Sequence, residues 1–135
     1  MVDNRQPYPP MKTKGEIEAG ISEAMVRFEI EYLGRGPKEA RSYILDDLIL
    51  VRLKGVLTPA EEQLAKSSDG VELIKKMRST LIESARGKLS SVISESSGAK
   101  VLDILTDINA ASGERVFIFV LDVNLGRDLP RRVTA

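Results

Sequence analysis

The sequence contains no cysteine, no histidine and no tryptophan. Without cysteine, the chain has no disulfides, thiolate catalysis or iron–sulfur ligation. Without histidine, it lacks the most common general base, the most common transition-metal ligand and the usual sensor of near-neutral pH. No serine stands in a nucleophile elbow, and no pair of carboxylates or lysines is singled out for catalysis. We therefore predict no catalytic residues, no metal site and no cofactor, and we favour a binding protein over an enzyme.

Neither sign of charge is in excess, because 20 basic residues balance 20 acidic residues. This balance argues against attraction to nucleic acid or to anionic lipid, which grows with the number of phosphates neutralised. No apolar run approaches the ~20 residues that span a bilayer, so we expect no direct membrane insertion. Residues 1–14 lack the apolar region of a secretory signal. The predicted location is the cytoplasm.

The length of 135 residues is typical of one domain, and 42% hydrophobic with 30% charged residues is a globular composition. Residues 1–12 hold three prolines and little apolar material, which predicts a disordered lead. Residues 13–125 are predicted to form a single α+β domain. Residues 126–135 are predicted to be a mobile tail.

Three helices are predicted from capping residues and apolar spacing. Thr13 and Glu16 form a capping-box pair before an apolar stripe over 17–33, which ends at Gly34. Thr58 followed by Pro59 begins a short second helix. A long third helix then runs from about residue 69 to about residue 96, on the order of 40 Å at ~1.5 Å per residue.

Two pairs of strands are predicted around these helices. Residues 39–46 and 48–54 form one hairpin across Asp46-Asp47, and residues 100–108 and 115–123 form the other. The order is α-β-β-α-α-β-β. It predicts a four-stranded antiparallel sheet of two hairpins, packed with helices that include one long helix.

The last strand is apolar on both of its faces, whereas a strand with one wet face should alternate apolar and polar residues. Two explanations remain open: the helices cover one face each, or a second copy of the chain covers one of them. We favour the homodimer, because a 40 Å helix would project beyond a small sheet. The residues predicted for this oligomer interface are Phe117, Phe119, Leu121, Leu48 and Leu50.

Three cations follow the first helix in a segment that also contains Gly34 and Gly36. One candidate function of Arg35, Lys38 and Arg41 is to bind a small anion, which backbone amides of this segment would also contact. The alternative is a helix C-cap and turn whose cations are solvated, since a helix C-terminus repels anions. The anion site supports an alternative function, in which the chain senses a small ligand.

Three blocks of sequence resemble the MpsC-like family of small bacterial proteins of unknown function. The blocks are GRGPKEARSY at 34–43, VRLKGVLTPAE at 51–61, and TD at 106–107 with GERVF at 113–117. The resemblance covers roughly residues 14–125. The family name implies a link to a membrane-potential-generating system, and relatives by name belong to ion or inorganic-carbon uptake systems.

The resemblance implies an accessory or regulatory role beside such a membrane transport system, with a protein of that system as partner. It brings no catalytic residues with it. Taken together, the sequence predicts a non-enzymatic interaction protein that forms a homodimer or another homo-oligomer.

Overall fold

The computed structural model describes residues 12–130 of the chain, and its first element confirms the predicted capping box. Helix α1 (Lys14–Leu33) begins after Thr13, whose side chain accepts a hydrogen bond from the Glu16 amide while the Glu16 carboxylate accepts one from the Thr13 amide. It ends at Gly34, which has the left-handed φ of 82° that glycine adopts without steric cost.

Four antiparallel strands form one sheet, as predicted. They are β1 (Glu39–Leu45), β2 (Leu48–Lys54), β3 (Val101–Asn109) and β4 (Glu114–Leu121), in the order β1-β2-β4-β3. The first hairpin turns at Asp46-Asp47, and Asp46 has a φ of 57°, which aspartate tolerates better than most residues. The two hairpins meet where β2 pairs with β4. The α+β fold class is therefore confirmed.

The predicted long helix is two helices, α3 (Ser68–Ser84) and α4 (Arg86–Ser97), which follow the short helix α2 (Pro59–Leu64). Ala85 separates them with φ −106° and ψ 8°, outside helical geometry. The apolar stripe continues across the break, so its periodicity gave no warning; Gly87, which weakens a helix interior, was the local signal. At ~1.5 Å per residue neither helix approaches 40 Å. The argument for a dimer from a projecting helix is wrong.

The segment after β4 packs back onto the fold. It forms a short helix, α5 (Leu125–Asp128), in which Leu125 is buried. The Gly126 amide donates to the Asp46 carbonyl, and a Cβ at Gly126 would lie 2.7 Å from the Asp46 nitrogen, so only glycine fits there. The Lys14 amide donates to the Pro130 carbonyl. Residues 126–130 of the predicted tail thus contact α1 and the β1–β2 turn. Residues 131–135, and residues 1–11 of the predicted lead, lie outside the described part of the chain, so the predicted mobility and disorder stay predictions.

The core lies on one face of the sheet, where α1, α3 and α4 pack against it. Its aliphatic character agrees with the composition. The strands contribute alternate residues to it, and β4 shows this most clearly, because every second side chain from Arg115 to Leu121 is buried. The side chains between them are only partly buried. Within residues 12–130, no helix covers that opposite face of the sheet.

Candidate functional site

The residues predicted for an oligomer interface lie on opposite faces of the sheet. Phe117, Phe119 and Leu121 are 0%, 0% and 2% exposed, because the chain's own helices cover them. Leu48 and Leu50 point the other way and are partly exposed. The prediction for the first three residues is corrected: they belong to the core. The apolar face that remains uncovered carries Val116, Ile118 and Val120 instead.

We call this uncovered surface the open face. The strand pairing arranges its side chains in rows across the sheet. The central row consists of Tyr43, Leu50, Ile118 and Leu105, in the order β1, β2, β4, β3. A second row holds Leu45, Leu48, Val120 and Asp103, and a third holds Arg41, Arg52, Val116 and Asp107. Tyr43, Leu45 and Leu105 are 38%, 49% and 53% exposed. The centre of the open face is therefore apolar and accessible.

The charges on the open face are divided between its two halves. On β1 and β2 the outward charged residues are Glu39, Arg41, Arg52 and Lys54, and on β3 and β4 they are Asp103, Asp107 and Glu114. Two ion pairs join residues of the face to each other: Arg41 with Glu39 at 2.9 Å, and Arg52 with Glu114 at 2.6 Å. Asp107 and Asp103 pair instead with Lys75 of α3 and Arg86 of α4, at 3.8 and 3.3 Å. Counted over the strand residues alone, the β1–β2 half is net positive and the β3–β4 half is net negative.

The three cations predicted to hold an anion do not come together. Arg35 donates to the Leu57 carbonyl, and Arg41 pairs with Glu39 on the open face. Lys38 lines a cavity beside Gly55, whereas Arg41 lines a different one with Arg52. The structure therefore does not assemble the predicted anion site, and each cation has a separate local role.

A cluster of four buried charges was not predicted. Arg78 on α3 is 1% exposed and makes a two-point ion pair with Glu61 of α2, through Nε at 2.8 Å and Nη2 at 2.7 Å. Its Nη2 also donates to the Val56 carbonyl. Burial raises the pKa of Glu61, but hydrogen bonds from Arg78 and Thr58 outweigh it and the net pKa lies below its ordinary value. This pair joins α2 to α3.

Glu29 and Arg115 complete the cluster with fewer contacts. Glu29 on α1 is 0% exposed; Arg78 Nη1 lies 3.8 Å from its Oε1, and within residues 12–130 neither carboxylate oxygen accepts a hydrogen bond. Burial raises the pKa of Glu29 to about 7, although the positive charges of Arg78 and Arg115 oppose the shift and Glu61 adds to it. Burial also lowers the pKa of Arg115 on β4. Glu29 is thus the least satisfied charge in the core.

The sequence did contain a signal for this cluster. Arg78 lies midway between Ile74 and Ile82, which are both buried, so a charge occupies a position of the apolar stripe at a spacing of four. Glu29 follows the buried Phe28 at the edge of the α1 stripe. A charged residue inside an apolar stripe predicts a buried ion pair only if its partner can be named. The partners are 17 and 49 residues away, which spacing does not reveal.

Comparison with known proteins agrees with the resemblance noted above. The model of the MpsC family, described as "Na+-translocating membrane potential-generating system (MpsC)", matches residues 13–123. The chain belongs to the MpsC family. The match spans α1 to β4, and so includes every strand of the open face and all four residues of the buried cluster.

Two curated relatives of this MpsC-family chain come from Bacillus subtilis (strain 168). Uncharacterized protein YbcI is 42% identical over 120 residues, which is 89% of this chain and 97% of the relative. Uncharacterized protein YrhF is 27% identical over 93 residues, which is 68% of this chain and 76% of the relative. No solved structure matches the chain significantly. Across residues 12–130, no helix has the length and hydropathy that a membrane span requires.

Proposed function

We propose that this MpsC-family chain is a non-enzymatic accessory protein that acts as a homodimer joined through its open face. The membrane system it supports is the one that the family description names. A single observation carries the proposal: the sheet has a second apolar face that no described helix covers. Apolar surface left in water forgoes roughly 25 cal/mol per Å², so an uncovered sheet face of this kind favours a partner.

The size of the open face fits a dimer of modest affinity. Four strands ~4.8 Å apart, each about seven residues long at ~3.3 Å per residue, make a surface of roughly 19 Å by 23 Å. Two such surfaces together come to roughly 870 Å², below the ~1,200 Å² of stable specific interfaces and in the range of weak, transient ones. We therefore expect association that depends on concentration rather than an obligate dimer.

The division of charge favours a second copy as the occupant. When two identical sheets pack face to face about a two-fold axis parallel to their strands, the strand order reverses across the interface. The β1 strand of one copy then lies over β3 of the other, and β2 lies over β4. The positive half of each face meets the negative half of its partner.

This arrangement also keeps each row of side chains in register with itself. Tyr43 faces the partner's Leu105, and Leu50 faces the partner's Ile118, so apolar side chains meet at the centre. At the border, Arg41 faces the partner's Asp107. Both of these border side chains are more than half exposed, with 65% and 83% of their surface accessible, and in the single chain Arg41 pairs with Glu39 and Asp107 with Lys75.

The test is the oligomeric state of an Ile118→Lys variant. Sedimentation velocity across a hundredfold range of concentration should show the wild-type chain passing from monomer to dimer. Ile118→Lys places a charge at the centre of the interface, and should weaken association by at least about a hundredfold, since an unpaired buried charge costs several kcal/mol. Leu73→Lys is the matched control, because Leu73 is 59% exposed on α3, away from the open face.

Two outcomes contradict the proposal. One is a wild-type chain that stays monomeric at every concentration, and the other is an Ile118→Lys variant that still forms dimers. The accessory role has its own readout: in cells that lack the gene and have lost membrane potential, the wild type should restore the potential and Ile118→Lys should not. If the wild type and Ile118→Lys restore the potential equally, the accessory role does not require the dimer.

A further inference from the structure

Strand β3 forms one edge of the sheet, and its outer side pairs with no strand of residues 12–130. With nine residues it is the longest of the four strands. Its side chains Leu102 and Leu105 are 60% and 53% exposed. A long edge strand of this kind is a template for another strand, because its outward amides and carbonyls lack a partner strand. The apolar character of β3 by itself therefore favours pairing with a second copy.

Two aspartates occupy outward amides of this edge. In an antiparallel pair the backbone groups of alternate residues point away from the partner strand, and on β3 these residues are Ile104, Thr106 and Ile108. Asp103 Oδ1 accepts a hydrogen bond from the Ile104 amide at 2.8 Å. Asp107 Oδ1 accepts one from the Ile108 amide at the same distance. The dipeptide Asp-Ile thus occurs twice on β3, and it occupies two of the three outward amides.

Other contacts at the β3 edge act in the same direction. Arg86 of α4 donates to the Ile104 carbonyl at 3.2 Å, which occupies an outward acceptor, and it pairs with Asp103 at 3.3 Å. The register of β3 against β4 shifts by one residue between Val101 and Asp103, as in a β-bulge. Bulges and charged side chains are two of the means by which proteins keep sheet edges from pairing.

The opposite edge of the sheet is covered by a helix. Glu18 of α1 accepts a hydrogen bond from the Ile44 amide of β1 at 2.7 Å, and the hydroxyls of Ser22 and Ser42 share another at 2.8 Å. Helix α1 therefore lies against β1, whereas the occupied amides of β3 are bonded by side chains of β3 itself. The β3 edge is thus the place where the sheet would grow if those side chains were removed.

We propose that Asp103 and Asp107 close the β3 edge to strand addition and so limit self-association of the chain. The partner they exclude is the β3 strand of a second copy, because an antiparallel pair centred on Thr106 would bring Ile104 of one copy opposite Ile108 of the other. To form that pair, both amides would exchange a charge-assisted bond to a carboxylate for a neutral bond of roughly half the strength. This role is independent of the open-face dimer, since the edge and the face are different surfaces.

The test replaces both aspartates in the Ile118→Lys background and follows the weight-average mass by sedimentation equilibrium. Asp103→Ala with Asp107→Ala should raise this mass with concentration to at least about twice that of the background, because the freed amides can donate to a second strand. The matched control, Glu72→Ala with Glu95→Ala, removes two exposed carboxylates from α3 and α4 and should leave the mass unchanged. Masses are compared with the background, so the result holds whether or not the wild type dimerises.

Two further measurements identify the contact. Asp103→Asn with Asp107→Asn keeps the Oδ1 acceptors without their charge, and this variant should have the mass of the background. Amide hydrogen exchange should show slow exchange at Thr106 in the alanine pair at high concentration, and fast exchange there in the dilute protein and in the background. Slow exchange of this amide would place the second strand at the β3 edge.

Three outcomes would overturn the proposal. They are an alanine pair that keeps the mass of the background at every concentration, an asparagine pair that associates as strongly as the alanine pair, and association that leaves exchange of the Thr106 amide unchanged. If the alanine pair does not fold, the single variant Asp107→Ala, whose side chain is 83% exposed, provides the same test at one amide.

Discussion

Strand β4 presents two apolar faces to very different surroundings. Phe117 and Phe119 are fully buried beneath the helices, while Ile118 and Val120, which alternate with them, are only partly buried. The difference in surroundings does not come from the hydrophobicity of the residues. It comes from the helices, which pack against one face of the sheet and leave the other uncovered.

The two faces of β4 have different roles, although both are apolar in sequence. The Phe117 face stabilises the fold and also encloses Arg78, Glu29 and Arg115. Burying these charges costs free energy, which the apolar burial of the rest of the core offsets. The Ile118 face adds little to the fold of a single chain and is available to a second one. Stability and association should therefore respond to substitutions on different faces of the same strand.

The largest effect should come from truncating neighbouring residues on the two faces. Phe119→Ala removes a fully buried ring and should lower the free energy of unfolding by about 3–5 kcal/mol. Ile118→Ala removes a partly exposed side chain and should cost about 1 kcal/mol or less in the monomer. Urea denaturation measures both losses, at a protein concentration below the dissociation constant of the dimer. Equal losses would mean that the open face is covered within one chain.

A second effect should come from the buried charge on the covered face. The pKa of Glu29 is about 7 in the folded chain and about 4.5 ordinarily, so the folded state binds its proton more tightly. Stability should then fall as the pH rises from about 4.5 to about 7, by about 3 kcal/mol, and stay level above that range. Glu61 acts in the opposite direction but below this window, because its pKa is lowered.

Urea denaturation of Glu29→Gln between pH 5 and pH 8 tests this effect. The variant should lose most of the pH dependence and should exceed the wild type in stability at pH 8. Glu31→Gln, an exposed substitution on the same helix, controls for loss of a surface carboxyl. A pH dependence that survives in Glu29→Gln would assign it to another group.

Local features of the fold were predictable from the sequence because local chemistry determines them. Thr13 and Thr58 begin helices by capping, Gly34 ends one, and Asp46-Asp47 forms a hairpin turn, and each of these signals lies within a few residues. The α+β class follows from the order of these elements. The break at Ala85 was missed because a buried stripe at spacings of three and four continues through it.

The site depends on contacts that are distant in the sequence, and these were not predictable from spacing. Whether Phe117 or Ile118 is buried depends on which face of the sheet the helices pack against. The side chains on the two faces of β4 have similar hydrophobicity, so the sequence pattern does not decide between them. Arg78 finds Glu61 and Glu29 only because α1, α2 and α3 converge. The cations Arg35, Lys38 and Arg41 are close in sequence but point to different surroundings. Proximity along the chain was therefore a poor guide to a shared site.

The smallest effect addresses the proposed pairing of two open faces. In the proposed dimer, Arg41→Asp places a carboxylate opposite the partner's Asp107, and Asp107→Arg places a cation opposite the partner's Arg41. Each change should weaken the dimer roughly tenfold, because every charge occurs twice in a two-fold interface and like charges repel.

The measurement that tests the central claim most directly is therefore sedimentation equilibrium of Arg41→Asp, Asp107→Arg and the double variant. The reversed pair in the double variant should restore the wild-type dissociation constant to within about threefold, a coupling that a double-mutant cycle isolates. If the double variant is as weak as the sum of the two single variants, these residues do not face each other and the proposed two-fold arrangement of the open faces is contradicted.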